Sequence, residues 1–383
     1  MLRKSSLRRD AEANARDERA TRKSQWRAST HDGSRLNLCH VHSLTDSLKS
    51  GADLTAAEVG HAVAQLVSAE IADDEKADFL KAFREKGETA AEIAGFVRAL
   101  LARAVDPEID PARVPGPMLD VCGTGGDKLE LFNVSTACMF VLAAGGACVV
   151  KHGNRAITSK CGGADVLEEH GVKIDLAPVD LRRCVEEHGL GFIFAPAYHP
   201  AFKAIVPVRK ALAAQGIPTI FNLLGPLLNP ARPAHQLVGI FSPLLLPKYA
   251  EALAALDRAR AWAVHGSGMD ELSLSGPSEV REVKAGVIRE FSVEAASHGL
   301  ARCEIAELRG GDCAENARIL LAILDGTERG PKLDMVLLNS AAGFVIAGLA
   351  DDLAAGIEHA REQIDAGRAL AKLTALQSFV IAG

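Results

Sequence analysis

No apolar run in the 383-residue sequence is long enough to cross a bilayer. The longest, Ala137 to Val150, has 14 residues and two adjacent glycines, against the ~18–20 that a spanning helix needs. A hydrophobic segment of the kind that opens a secretion signal is also missing. The eight cysteines include no CxxC pair and no Cys/His spacing typical of zinc. In a chain of this size they are expected to be reduced, mostly buried thiols in a reducing, cytoplasmic setting. Aromatics are few and Ala, Leu and Gly abundant, the composition of a soluble globular protein. There are no internal repeats.

An excess of positive charge is found only at one end. Residues 1–41 carry ten Lys/Arg and five Asp/Glu, a local +5, so with −6 overall the remaining body is at −11. An acidic body argues against nonspecific nucleic-acid binding. A phosphate ligand would have to be met by backbone amides, a few basic side chains and a metal ion.

The length exceeds the ~250–300 residues at which single cores stop growing, so two domains are expected. Residues 1–42 are polar, Arg/Ser-rich and aperiodic, and are expected to be a disordered basic extension. Two capping boxes, Thr55 with Glu58 and Thr89 with Glu92, each precede helix-spaced apolar residues. They predict a small all-helical domain over 43–115, punctuated at its end by Pro107, Pro111, Pro115 and Pro117. From 116 to 383 short apolar runs alternate with helical patterns. The fold class is α/β, with the helical domain followed by a large domain on a mixed, mostly parallel sheet. Strands are expected at 237–241 and 261–265, a hairpin at 280–283 and 287–293, and helices from 314 onward. A helical stretch over about 200–214 should break at Pro207. Asn222 to Pro230, dense in Gly and Pro, reads as a rigid loop rather than helix or central strand.

The chemistry-bearing residues cluster between Met118 and Asp165. Gly123-Thr124-Gly125-Gly126-Asp127 follows an apolar run, and such glycines let amides approach an anion, or else simply form a tight turn. Asn133-Val134-Ser135-Thr136 opens an apolar helix, where free amides make an anion site or an ordinary cap. Lys151-His152-Gly153-Asn154-Arg155 puts two cations, an imidazole and an amide at the end of a second strand; Ser159 to Gly163 extends that surface. Asp270 and Glu271 follow a third strand and suggest Mg²⁺ held together with a substrate's oxygens. Arg209 could clamp a carboxylate in bidentate fashion or pair with a helix neighbour. No activated Ser or Cys nucleophile is evident.

In this order the motifs GTGGD (Gly123–Asp127), FNVST (Phe132–Thr136), KHGNR (Lys151–Arg155), FNLLGPLLNP (Phe221–Pro230), GMDE (Gly268–Glu271) and GGDCAEN (Gly310–Asn316) closely resemble the anthranilate phosphoribosyltransferases of tryptophan synthesis. The resemblance runs from about Leu44 to the C-terminus. It implies a homodimer joined through the small helical domain, to which the segment at about 199–217 is added. It also implies Mg²⁺-dependent transfer of phosphoribosyl from 5-phosphoribosyl 1-diphosphate (PRPP) to the amine of anthranilate. PRPP would be held by Gly123, Gly126, Asp127, Asn133, Val134, Ser135, Thr136, Lys151, His152, Gly153, Asn154, Arg155, Ser159 and Gly163. Anthranilate would meet Gly123, Asn154, Arg209 and His152, and the metal Ser135, Asp270 and Glu271. No general base is implied, because the amine is already a nucleophile and the catalysis would be by positioning and electrostatics.

The chain departs from that pattern in two places. Lys128-Leu129-Glu130-Leu131 stands where the family has glycine and small polar residues, and Cys161 and Gly163 stand where serines are common. Two further readings are a pyrimidine nucleoside phosphorylase, which shares the glycine loop but not Asn154-Arg155 or the FNLLGPLLNP segment, and a non-catalytic PRPP- or nucleic-acid-binding paralogue.

Overall fold

The structure, a computed structural model, describes residues 40–127, 129–156 and 160–381. It opens with four helices, α1 (Val41–Lys49), α2 (Ala56–Leu66), α3 (Asp73–Lys86) and α4 (Ala90–Leu101). Both capping boxes form: Thr55 and Thr89 accept from the amides of Glu58 and Glu92, whose carboxylates reach back to the cap. Such a cap contributes about 1 kcal/mol. Glu92 is buried because its carboxylate also takes the Leu54 amide at 2.9 Å and the Lys86 ammonium at 2.8 Å. Of the expected extension over 1–42, Val41 and His42 belong instead to α1, whose buried Val41 and Leu44 tie it down. Residues 1–39 lie outside the described residues.

The larger part runs β1 (Met118–Gly123), α5 (Val134–Ala144), β2 (Cys148–Gly153), α6 (Gly163–Glu169), α7 (Pro178–His188), β3 (Leu190–Phe194), the single turn α8 (Ala195–Tyr198) and α9 (Val206–Ala214). It continues with the single turn α10 (Phe221–Leu224), β4 (His235–Gly239), α11 (Leu246–Ala255), β5 (Arg260–Gly266), β6 (Ser278–Lys284) and β7 (Val287–Val293). Four helices close it: α12 (Cys313–Leu324), α13 (Pro331–Ala347), α14 (Leu353–Asp365) and α15 (Arg368–Gln377). The sheet order is β3-β2-β1-β4-β5-β6-β7. β1 to β5 pair in parallel, and β6 and β7 add antiparallel. The β6–β7 turn places Ala285 and Gly286 at φ of 49° and 79°, the positive values of a tight hairpin turn.

Two local expectations change. Phe221 to Leu227 is not an irregular loop but the turn α10 followed by a 3-10 turn at Gly225–Leu227. Pro226 sits in the first residues of that turn, where its missing N–H costs nothing. The break before α9 falls at Ile205, and Pro207 lies inside the first turn of the new helix for the same reason.

The two faces of the sheet have separate cores. One gathers Leu119, Val121, Val149 and Val264 with the apolar α5 and α13. The other takes Cys122, Val238, Ile240 and Ala263 and continues into Leu44, Phe83 and Phe96 of the N-terminal helices and Val208 and Leu212 of α9. The chain winds outward from β1 to β3, then returns to place β4 on the other side of β1. That reversal is a topological switch point, where crevices open beyond the strands' carboxyl ends. Among the described residues no helix is long and apolar enough to cross a membrane.

Candidate active site

β1 and β4 both end in glycine at the switch point, and the reason is steric. A Cβ on Gly239 would lie 1.5 Å from the Asp270 carbonyl oxygen, and one on Gly123 2.2 Å from Asp270 Oδ2. The segment after β5 therefore closes directly onto the ends of β1 and β4. Gly125 donates its amide to Asp270 Oδ2 at 2.7 Å, and Thr124 Oγ1 accepts the Phe241 amide at 3.0 Å. Gly125 and Gly126 take φ of 66° and 90°, open to glycine at little cost. From inside the core, buried Asn339 on α13 fixes the same segment. Its side chain accepts from the Leu272 amide at 2.9 Å and donates to the Leu272 carbonyl at 3.0 Å.

Three carboxylates meet there. Burial, then the charge of Asp127, pushes Asp270 up to about 6. Glu271 is raised well above the usual range by burial, then by Asp270, while Lys151 and the Ser135 amide pull the other way. Mutually repelling oxygen donors at a strand end are the donor set a hard cation takes. They do not close a cage by themselves. Among the described residues the one trio of His, Cys, Asp or Glu ligand atoms lying within 4.8 Å of one another is elsewhere, at Cys161, Asp165 and Cys313. A cation at Asp270 and Glu271 would need further oxygens from Ser135, water or a ligand's phosphates, the sparse coordination that suits Mg²⁺.

Lys151 and His152 leave β2 toward opposite faces of the sheet, as successive strand residues must. Lys151 Nζ donates to the Val121 carbonyl at 2.6 Å and to Ser135 Oγ at 3.1 Å, at the start of α5. Asp120, in the middle of β1 and wholly buried, lies within its field; burial raises the Asp120 carboxyl and Lys151 counters it.

His152 turns to the other side, where rings line up one after another. His152 and His199 are 5.2 Å apart, His199 and Phe202 5.3 Å, and Phe202 and Phe221 5.7 Å, and the Arg209 guanidinium lies 5.3 Å over Phe221. Burial, then His199, lowers His152 to about 3, so the ring is neutral at pH 7. Among the described residues its buried Nε2 has no partner. An interaction with the Gly225 backbone favours the protonated ring and only partly offsets that burial. Burial alone shifts Arg209, and no ion pair with a helix neighbour forms among the described residues.

The other sequence candidates divide. Asn133 is drawn into the scaffold, donating to the Cys161 carbonyl at 3.2 Å and accepting from Asn316 at 3.0 Å. The GGDCAEN segment thus braces the second loop. Val134 and Thr136 are buried at the start of α5, and the Val134 amide donates to the Phe132 carbonyl at 2.8 Å. Gly163 lies where a Cβ would come 3.0 Å from Thr136 Oγ1. Gly153 ends β2 and Asn154 is exposed beyond it. The Arg155 guanidinium is held by both Glu168 oxygens at 2.8 and 2.7 Å and covers Phe194 at 4.6 Å. Gly126 is exposed beside Phe241. Ser159 and Lys128 lie outside the described residues. Asp120, Asn339, His199 and Phe202 were not found from sequence. A lone Asp inside an apolar strand was the one signal available, at Asp120.

A helical bundle joined to an α/β sheet with this site defines a two-domain glycosyl transferase. The family model for the glycosyl transferase helical bundle domain matches residues 42–104, and that for its a/b domain matches residues 115–370. The anthranilate phosphoribosyltransferase of Chloroflexus aggregans is 46% identical over 323 residues, 84% of this chain and 93% of the relative. That of Natronomonas pharaonis is 45% identical over 87% of this chain and 97% of the relative. The crystal structure of the Thermus thermophilus enzyme of that name superposes with a TM-score of 0.81 at 39% identity, over 88% of this chain and 98% of that one. The Saccharomyces cerevisiae enzyme in complex with PRPP and Mg gives 0.77 at 28% identity, over 89% and 98%. The chain belongs to the anthranilate phosphoribosyltransferase family.

Proposed function

We propose that this enzyme transfers the phosphoribosyl group of PRPP to the amine of anthranilate and releases diphosphate, as a step of tryptophan biosynthesis. The observation that carries the reading is the end of β2, where Lys151 faces the amides and carboxylates and His152, one residue on, faces the ring-lined side ending at Arg209. A polyanion and a flat aromatic acid would meet there.

The Thr124, Gly125, Val134 and Ser135 amides are engaged within the fold, so the amides of Gly126, Asp127 and Thr136, the Ser135 hydroxyl and Lys151 would cradle the diphosphate, with Gly163 leaving room behind them. Asn133, Gly153, Asn154, Arg155 and Ser159 would complete the PRPP side, Asn133 and Arg155 through the segments they brace. Asp270, Glu271 and Ser135 would hold Mg²⁺, which when bound neutralises charge building on the leaving diphosphate. Arg209 would pair with anthranilate's carboxylate, with Asn154 and Gly123 against the ring. Neutral His152 would accept an amine N–H at Nε2, orienting the nucleophile's lone pair on C1. The new N–C1 bond forms as the C1–O bond to diphosphate breaks, and the amine's proton leaves to solvent. A ring with a pKa of about 3 is too weak a base to be required for that proton. Domains at 43–115 with 199–217 and at 116–383, a homodimer through the helical domain, and a cytoplasmic setting complete the proposal.

The test follows anthranilate fluorescence with PRPP and Mg²⁺ present together or singly. Consumption only with both supports the reading. PRPP binding without turnover, or phosphorolysis of thymidine without anthranilate, overturns it.

A further inference from the structure

Two cysteines that the reaction does not use lie against the second loop. Cys161 precedes Gly162-Gly163 and is buried, and Cys313 is the first residue of α12 and half-buried. Their sulfurs and a carboxylate oxygen of Asp165 all lie within 4.8 Å of one another. Each is held by the fold. Asp165 Oδ2 accepts the Ala156 and Gly162 amides, both at 2.8 Å, which fixes the carboxylate's direction. Cys313 Sγ lies 3.8 Å from the Lys160 carbonyl. Asn316, which braces Asn133 and the Gly311 amide, also hydrogen-bonds Cys161. The nearby Lys160 ammonium is paired with Glu130 at 3.2 Å.

From this geometry we propose that Cys161, Asp165 and Cys313 form a second cation site, selective for a soft divalent ion such as zinc, that clips the second loop to the start of α12. Two sulfurs and one oxygen match the ligand preference of zinc and cadmium, not that of magnesium. Sulfurs around tetrahedral zinc stand about 3.8 Å apart, from Zn–S bonds of ~2.3 Å, so small side-chain rotations close the site. Water takes the fourth position. Binding is an acid–base exchange without redox: each thiol gives its proton to buffer as its metal–sulfur bond forms. The amides on Asp165 act as an outer shell that orients a ligand. Metal binding at this site needs neither PRPP nor anthranilate, so the titration is run without them.

The test titrates the full-length protein with cadmium in excess Mg²⁺ and a phosphine reductant, following the ultraviolet charge-transfer band of cadmium thiolates. A band that saturates at one equivalent, is reversed by a chelator, and is lost in both Cys313→Ala and Cys313→Ser supports the site. Zinc at a hundredfold excess over its Kd should raise the wild-type Tm by roughly 3 °C and leave Cys313→Ala unmoved. With PRPP and Mg²⁺ but no zinc or cadmium, anthranilate turnover by Cys313→Ala should stay at the wild-type level, showing that it is folded. No band in the wild type, or an undiminished band in a Cys161→Ser/Cys313→Ala protein, overturns the proposal.

Discussion

The two sides of the site are built on opposite electrostatic terms. On the diphosphate side, Asp127, Asp270 and Glu271 are held together against their own repulsion, with Lys151 and the amides of α5 facing them. On the ring-lined side, His152 and His199 are neutral, burial holding them at about 3 and about 4, and the lasting charge over the rings is Arg209. The first side stores unfavourable energy that a cation would relieve. The second stores the desolvation cost of the Arg209 guanidinium and, among the described residues, of the unpartnered His152 Nε2, which a flat acid bearing an amine would relieve. Substitutions on the two sides should therefore fail in different ways.

Lys151→Met should have the largest effect. It removes the cation that offsets buried Asp120 and withdraws a proposed phosphate contact, so the fold should lose about 3 kcal/mol and turnover should vanish. The Asn229 side chain and the Arg258 charge also favour the Asp120 carboxylate, and a soluble variant with wild-type Tm would show that these two suffice. Replacing Asp270 and Glu271 together by Ala should lower magnesium-dependent kcat/KM by about a hundredfold or more; full activity would remove them from the metal site. Asp270→Asn separates stability from function. It keeps an acceptor for the Gly125 amide and removes the repelling charge, so the metal-free protein should melt higher at pH 7 while magnesium affinity falls.

The same carboxyl sets a pH dependence. Its folded pKa of about 6 lies above the ordinary ~3.9. Between those values the folded, metal-free protein holds more protons than the unfolded chain, so this group's contribution to stability declines as pH rises from about 4 to 6. The ionised form that binds metal is lost in the opposite direction. Magnesium affinity should thus weaken roughly tenfold from pH 7 to pH 5. Calorimetric titration at the two pH values checks this; an unchanged Kd would take Asp270 out of the site.

Much of the diphosphate side was legible in the sequence because its determinants are local. Glycines must end β1 and turn at Gly125 and Gly126, and an anion site needs a helix start soon after. The capping boxes at Thr55 and Thr89 were legible for the same reason. On the ring-lined side Arg209 and His152 were named from the sequence, but the row of rings between them was not, since His199, Phe202 and Phe221 are brought to them only by tertiary packing. Asn339 was hidden more deeply: it sits in an apolar helix and acts on a loop 67 residues away. The rule that Gly and Pro exclude helix failed at Phe221–Leu227 because single turns have no interior for it to apply to.

On the ring-lined side effects should be smaller and confined to one substrate. Arg209→Ala should raise the anthranilate KM by about ten- to a hundredfold, with little change in the PRPP KM, and equal changes in both would sink its role. Among the described residues the guanidinium's partner within the fold is the Phe221 ring, so the fold should hardly notice.

The smallest effect should come from Glu130, which with Leu131 ties the two loops together. Glu130 pairs with Lys160 at 3.2 Å, its carbonyl accepts the Gly310 amide at 2.9 Å, and Leu131 bridges to Arg309. The ion pair is more than half exposed on both sides, and such pairs contribute at most about 1 kcal/mol. Glu130 also sits at φ 55°, a conformation that strains any residue with a Cβ. Glu130→Ala loses the pair and keeps the strain, whereas Glu130→Gly loses the pair and the strain together. Glycine should therefore match or exceed alanine in Tm, by up to about 1 kcal/mol, although it is the more flexible residue. The reverse order would mean that the backbone at 130 relaxes out of the left-handed region once the ion pair is gone, and that the pair with Lys160 is what holds this loop in shape.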